Sequence, residues 1–331
     1  MKTYQINLAQ KSEIRAVIDF LSEIYRPMNP AAAINQRFVF ARESGIAQGN
    51  LILARSRSGE LIGVIRIVDR VMLINGVRLT CGGISSIGVK PEWRNRGVCS
   101  AMMKKALSLM MQKQKDISVL YARRALDGFY IPFGYQGVGS YGQLQIISFP
   151  SVGQKNLRTK NFQKDDFSFL QKSYKKTYYS LSGSIVRSKA IWNFIIDRVK
   201  SKISPAQIII FYQGSRRIGY GVVKEQILVE LGIEKKYFSQ LVVWLKEQVC
   251  KSVSLHPGHP FVIYCRSNFN TILTERFALD GGYMAQSITE SSILKKLGRS
   301  PGGQSLFAGG PNWIKSFFPN QFFHTSVLDE I

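Results

Sequence analysis

Between 12 and 25, Ile14, Val17, Ile18, Leu21 and Ile24 fall on one side of a helical pattern. That spacing predicts an amphipathic helix, with Ser12 as its N-cap and Pro27 and Pro30 ending it. A second helix is predicted over 31–42. Residues 51–55 and 61–74 are rich in Ile, Leu and Val and predict strands. Asn75-Gly76 then separates two apolar runs, 61–74 and 77–80, as in a type I′ hairpin. Residues 84–89 predict a buried strand. Met102, Ala106, Leu109 and Met110 put a helix over 98–112. Residues 117–122 predict a strand, and 143–149 a strand that closes the first sheet. The stretch 150–155, Pro-Ser-Val-Gly-Gln-Lys, is the best linker.

The second half repeats this order loosely. Helices are predicted over 163–178 and 187–199, and strands over 207–212, 217–224 and 226–233. A helix over 234–249 buries Phe238, Leu241, Val242, Leu245 and Val249. Residues 261–265 predict a strand, 270–279 a helix, and 283–287 a strand. Residues 300–312 are rich in Gly and Pro and predict a loop. The ending from Phe317 to Ile331 is apolar enough to dock onto the body of the protein.

A chain of 331 residues has room for two domains, each with its own core. With 45% hydrophobic and 20% charged residues it is globular rather than disordered. No apolar run reaches membrane-spanning length, and the N-terminus has no signal-like segment. Cys81, Cys99, Cys250 and Cys265 are scattered, which predicts reduced thiols in a cytoplasm. Three histidines argue against a metal site, and His256-Pro-Gly-His259 reads as a turn. A net charge of +24 favours anionic partners and disfavours polycations. The basic-aromatic run at 175–179 lies in a helical pattern, so a solvated face is preferred to nucleic-acid binding.

The most informative stretch is 84–100: a buried strand, a Pro turn, a basic loop with one glycine, and a helix start. Helix starts offer unpaired N–H groups to anions, and Arg94 and Arg96 add charge there. Gly97 lets a ligand approach the backbone. The dinucleotide-binding Gly-x-Gly-x-x-Gly is absent, as is the P-loop Gly-Lys-Ser/Thr.

This loop, Arg94-Asn-Arg-Gly97-Val-Cys99, resembles the Arg/Gln-x-x-Gly-x-Gly/Ala loop of the GNAT superfamily of N-acetyltransferases, with Cys99 in place of the last small residue. Tyr130-Ile-Pro-Phe-Gly-Tyr135 is similar to the superfamily's second signature. The order of hairpin, strand, loop, helix and strand agrees, over roughly residues 1–150. Within the superfamily the chain is most similar to the tandem Eis-like (enhanced intracellular survival) proteins, without room for their sterol-carrier-like third domain. The resemblance implies an α/β (α+β) fold of two tandem GNAT-like domains. Each would be a mixed, mostly antiparallel sheet flanked by helices. Residues 1–150 would form the catalytic domain with the acetyl-CoA site, and 151–331 a degenerate second domain.

By the same resemblance, Ile87, Gly88 and Val89 would meet the pantetheine arm and thioester. The N–H groups of Arg96, Gly97, Val98 and Cys99, with Arg94 and Ser100 in the same loop, would bind pyrophosphate. Tyr130 would protonate the leaving thiolate, and a core aromatic is its alternative reading. Acetyl-CoA or another acyl-CoA would be the cosubstrate, with no metal, and a primary amine the acceptor. Eis-like relatives act on aminoglycosides, polyamines or lysine side chains, and the positive charge weighs toward peptide lysine or ornithine. A long-chain acyl donor, including an acidic acyl carrier protein, is a second reading, in which Met102, Met103 and Met110 would line an acyl tunnel, with core packing as their preferred role. A non-catalytic CoA-binding module is a third. Asp127 and Glu92 are nearby carboxylates that do not identify the base. The second half has no glycine loop and places Glu234 at the matching helix start, which predicts no second CoA site.

Overall fold

The computed structural model describes residues 3–28, 30–42, 49–74, 76–122, 124–139, 142–146, 157–201, 206–248, 250, 252–255, 258–275 and 282–296. The expected linker at 150–155, His256, the Gly/Pro-rich 300–312 and the apolar ending lie outside these residues, as does Asn75.

The first half runs β1 (Tyr4–Leu8), α1 (Ile14–Tyr25), α2 (Ala32–Arg42), β2 (Leu51–Ser56), β3 (Leu61–Ile74), β4 (Val77–Val89), α3 (Val98–Gln112), β5 (Ile117–Ala122), α4 (Asp127–Tyr130), β6 (Gln136–Gly139) and β7 (Gly142–Ile146). The second runs β8 (Arg158–Asn161), α5 (Phe167–Tyr178), α6 (Lys189–Lys200), β9 (Ala206–Gln213), β10 (Arg216–Lys224), β11 (Ile227–Ile233), α7 (Phe238–Glu247), β12 (Ser252–Val253), α8 (Pro260–Asn268), β13 (Thr271–Glu275), β14 (Gly282–Ser287) and α9 (Glu290–Lys296). These form two seven-stranded sheets, ordered β1-β2-β3-β4-β5-β14-β6 and β13-β7-β12-β11-β10-β9-β8. Both are mostly antiparallel, with one parallel pair each, β4–β5 and β11–β12.

Each sheet is covered on both faces. In the first, Val17, Phe20, Leu21 and Phe40 of α1 and α2 pack on Leu51, Leu53 and Val64. On the other face α3 packs Val98, Met102, Met103, Ala106 and Met110 on Ile52, Ile65 and Ile84. In the second sheet α5 and α6 cover one face and α7 and α8 the other. Met102, Met103 and Met110 are fully buried. A Cβ on Gly63 would lie 2.8 Å from Met102 Cε, and one on Gly82 2.7 Å from Met110 Sδ. The two glycines let α3 sit directly on the sheet, so these methionines fill the core. Each buried side chain contributes about 1.5–3 kcal/mol.

The sheets exchange strands. Residues 143–149 were expected to close the first sheet, yet β7 pairs with β13 and β12 in the second. Its Leu144 and Ile146 are buried in the second core. The edge of β5 is taken by β14, with Met284 opposite Leu120. Thus the predicted strand at 283–287 forms, but in the first sheet, and neither sheet is confined to one side of residue 150.

Two further expectations change type. Residues 261–265 form part of helix α8, because His259 caps it, Pro260 starts it, and Phe261, Val262 and Cys265 share its buried face. Residues 271–275, Thr-Ile-Leu-Thr-Glu, form strand β13 rather than a helix. Their β-branched residues favour that outcome. The cap of the first helix also moves. The turn 11–13 precedes α1, and Gln10 and Glu13 form a capping box there in place of Ser12.

The first helices of the two halves repeat at one offset. Gln10 and Glu13 cap the turn before α1, and Gln163 and Asp166 cap the turn before α5. Both helices have 12 residues and end in tyrosine, Tyr25 and Tyr178. The units also meet directly. β3 outruns β2, and its free edge takes the segment 183–186, with Leu73 N–H donating to the Ser184 carbonyl at 2.8 Å and Val186 N–H to the Val71 carbonyl at 2.8 Å.

Candidate active site

Strands β4 and β5 pair only through Cys81–Ile117, Gly82–Ser118 and Gly83–Val119. Beyond Gly83 they separate, because β4 bulges. Ser86 and Ile87 together oppose Ile65 of β3, and Ser86 takes a positive φ of 48°. The end of β4 therefore borders a gap rather than a strand.

Orientation in that gap follows from register. Lys90 N–H donates to the Ile62 carbonyl of β3 at 2.9 Å. Backbone groups alternate sides along a strand, so those of Gly88 also face β3, and those of Ile87 and Val89 face the gap. Both carbonyls are occupied: Tyr25 Oη donates to that of Ile87 at 2.8 Å, and Arg94 Nε to that of Val89 at 3.2 Å. The N–H groups of Ile87 and Val89 point into the gap, with no strand across from them among the described residues. α1 lies close against Gly88: a Cβ there would come within 3.3 Å of Ile24 and Phe20, a tight contact.

The basic loop follows. Asn95 and Gly97 both have positive φ, 59° and 75°. They turn the chain so that α3 starts with Gly97 as N-cap and no side-chain cap. The first helical bond runs from Ala101 N–H to the Gly97 carbonyl at 3.0 Å. The N–H groups of Gly97, Val98, Cys99 and Ser100 thus face outward from a dipole end. Arg94 and Arg96 are exposed, and Arg96 lies 5.5 Å from the Trp93 ring. Val98 itself is buried. Cys99 is half-buried, and burial pushes its thiol up to about 11, so it stays neutral at physiological pH.

Tyr130 ends α4 and is 7% exposed. Its ring sits edge-on to Phe129 and Tyr135, at 5.0 and 6.1 Å. Burial raises its pKa well above the usual phenol value, with smaller contributions from Cys99 and Tyr25. Its hydroxyl makes no hydrogen bond among the described residues. Tyr135 differs: it is fully buried and its hydroxyl shares a 2.6 Å bond with Ser118 Oγ. It is a structural residue. Cys99 of the loop packs against the same apolar cluster as Tyr130, and Tyr25, which bonds the end of β4, adds to the Tyr130 shift. Sequence reasoning missed Tyr25, since nothing in the pattern of α1 marks a helix-ending tyrosine as reaching a strand 62 positions away.

The second sheet has the matching place. Among the described residues β11 pairs in parallel with β12 at Ile227–Ser252 and Leu228–Val253, and beyond Leu228 it runs on beside β10. Leu231 stands four residues before the turn at 235–237, as Ile87 stands four before the turn at 91–93. Here the gap is filled. Leu231 N–H donates to Tyr178 Oη at 3.0 Å, and its carbonyl lies 3.1 Å from His259 Nε2. His259 Nδ1 accepts from Phe261 N–H at 3.1 Å, so Nε2 carries the proton and donates. The turn leads straight into α7, with no counterpart of residues 94–97. Glu234 precedes it, ion-paired with Lys176 and Lys236 at 3.3 and 3.0 Å. Among the described residues no three His, Cys, Asp or Glu side chains cluster to hold a metal.

Residues 5–138 match the family model described as an acetyltransferase (GNAT) domain. No curated protein sequence matches the chain. Among solved structures, a probable N-acyltransferase from Enterococcus faecalis is similar at TM-score 0.70 and 17% identity, over 89% of this chain and 75% of that one. Eis1 from Mycobacterium abscessus is similar at TM-score 0.62 and 16% identity, over 90% and 76%. Saccharomyces cerevisiae N-myristoyltransferase with bound myristoyl-CoA is similar at 0.53 and 9%, over 86% and 82%. At these identities the shared property is the fold: two helix-flanked sheets in tandem, as in GNAT proteins. Among the described residues no helix is long and apolar enough to cross a membrane.

Proposed function

We propose that the chain is an acyl-CoA-dependent N-acyltransferase of the Eis-like tandem kind, moving an acetyl group from acetyl-CoA to a primary amine by direct transfer. The observation that carries this is the pairing of a splayed strand, with the Ile87 and Val89 N–H groups facing a gap, and an uncapped helix start eight residues on, flanked by Arg94 and Arg96. The strand N–H groups suit a pantetheine arm and thioester oxygen, and the N–H groups from Arg96 to Cys99 suit pyrophosphate. Tyr130, kept protonated by burial, supplies the proton to the leaving thiolate. The catalytic unit is the first domain. The second binds no CoA, because its own side chains satisfy the equivalent backbone. The acceptor is an amine on a small molecule or peptide side chain, in a cytoplasmic setting. A longer acyl donor, carried by CoA or an acidic carrier protein, is the second reading. Likeness to a protein with bound myristoyl-CoA favours it, and the tight packing of Met102 and Met110 against glycines opposes it.

Calorimetry with acetyl-CoA tests the assignment. The wild type should bind one molecule per chain, and Gly97→Glu none. Gly97→Ala is the control. It has room, with Tyr4 Oη 3.6 Å from the new Cβ, but it strains the positive φ by about 1–2 kcal/mol, and it should still bind. Unchanged affinity in Gly97→Glu overturns the loop assignment, and a second bound molecule that survives it overturns the sealed second cleft.

A further inference from the structure

We propose that Tyr25 is a positioning residue of the acyl-transfer site: its hydroxyl fixes the Ile87 backbone so that the Ile87 N–H points at the thioester carbonyl of a bound acyl-CoA. This rests on the acyltransferase reading. At Ile87 the strand has lost its neighbour on one side and is bulged on the other, so the sheet alone does not set its direction. The 2.8 Å bond from Tyr25 Oη to the Ile87 carbonyl supplies the missing constraint. It is itself anchored, because Phe20, Leu21 and Ile24 of the same helix close on Gly88. Tyr25 spends its proton on that carbonyl and so does not compete with Tyr130 as the acid.

The second half gives an independent observation. Tyr178 ends the repeated helix and meets the matching residue, Leu231, but accepts from its N–H at 3.0 Å. The same tyrosine on the same scaffold thus has two uses. As a donor to the carbonyl it leaves the N–H for a ligand, and as an acceptor from the N–H it closes the place. The direction of that hydrogen bond is one of the differences between the two places, alongside His259 on the Leu231 carbonyl.

The test is infrared difference spectroscopy of carbonyl-13C acetyl-CoA bound to the wild type, Tyr25→Phe and Tyr178→Phe. In the wild type the thioester stretch should fall below its value in water-free solvent. Tyr25→Phe should move it back, and Tyr178→Phe, which loses a comparable bond, should not. Affinity for CoA, which lacks the carbonyl, should stay the same, while acetyl-CoA binds Tyr25→Phe up to about fivefold more weakly. Equal stretching frequencies in the wild type and Tyr25→Phe overturn the proposal. Failure of the wild type to bind acetyl-CoA overturns the acyltransferase reading itself, and is seen before any variant is compared.

Discussion

Replacing Tyr130 by Phe removes one oxygen and keeps the ring. The Phe129 and Tyr135 contacts at 5.0 and 6.1 Å survive, and the lost hydroxyl has no partner among the described residues. Stability should therefore change by less than the ~1 kcal/mol of a typical lost hydrogen bond. Turnover should behave differently. A positioned acid contributes about a hundred- to ten-thousand-fold, or ~2.7–5.5 kcal/mol of barrier. The assay is CoA release with acetyl-CoA and the best acceptor from a panel of lysine peptides, ornithine and polyamines, with melting temperature on the same preparation. The pH profile adds a second constraint. Burial holds the Tyr130 proton above the ordinary phenol range, so its loss should slow the wild type only above about pH 10. A fall in rate between pH 8 and 9 would belong to another group. Near-wild-type turnover in Tyr130→Phe would leave the residue as core packing and sink the catalytic assignment.

Glu230→Gln should lower the melting temperature by on the order of 10 °C without altering acetyl-CoA affinity, because it strips the charge from a fully buried pair with Arg187, bonded at 2.9 and 2.5 Å, and losing one partner of such a pair costs about 3–5 kcal/mol. Asp116 ties α9 to the first sheet. Its burial alone would raise its pKa, but bonds from Lys296, Ser292 and Thr80 bring it below the usual carboxylate value. Its contribution is complete above about pH 4 and is lost as the pH falls through the lowered pKa. Asp116→Asn should therefore melt earlier at pH 7, and the difference should shrink in thermal melts below pH 4.

What the sequence showed depended on how local the cause was. Helix α3 was legible to the residue, because Gly97 before it and the Met102, Ala106, Leu109 and Met110 stripe are both local signals. Strand β5 was equally plain. The loop, the Tyr130 segment and Glu234 were singled out for the same reason, each being read from a run of neighbouring residues. Residues 143–149 and 283–287 both read as strands, but alternation says nothing about which sheet receives them. The exchange is decided by the free edge of β5, more than 150 positions from β14. In 261–265 the run Phe-Val-Ile-Tyr-Cys has strand composition. Its helix is imposed by the cap at His259 and the buried face of Phe261, Val262 and Cys265, a tertiary override of propensity. Tyr25 was invisible for a related reason: its role lies in a contact with a bulge that no pattern announces.

The constant offset of Gln10, Glu13 and Tyr25 from Gln163, Asp166 and Tyr178 argues that one unit was duplicated, and the differences then become informative. In the second unit the backbone groups at the splayed strand are satisfied from within by Tyr178 and His259, and the residue before Leu231 is Glu230, locked to Arg187 and Tyr220. Those bonds already satisfy the Leu231 backbone without a ligand. In the first unit the same place leaves N–H groups facing a gap, at a bulge with a strained Ser86, beside a helix start with no cap. Polar groups left without partners cost stability. Local rules broken together at one spot, on a scaffold that shows elsewhere how they can be kept, are what the proposed acyl-CoA site would require.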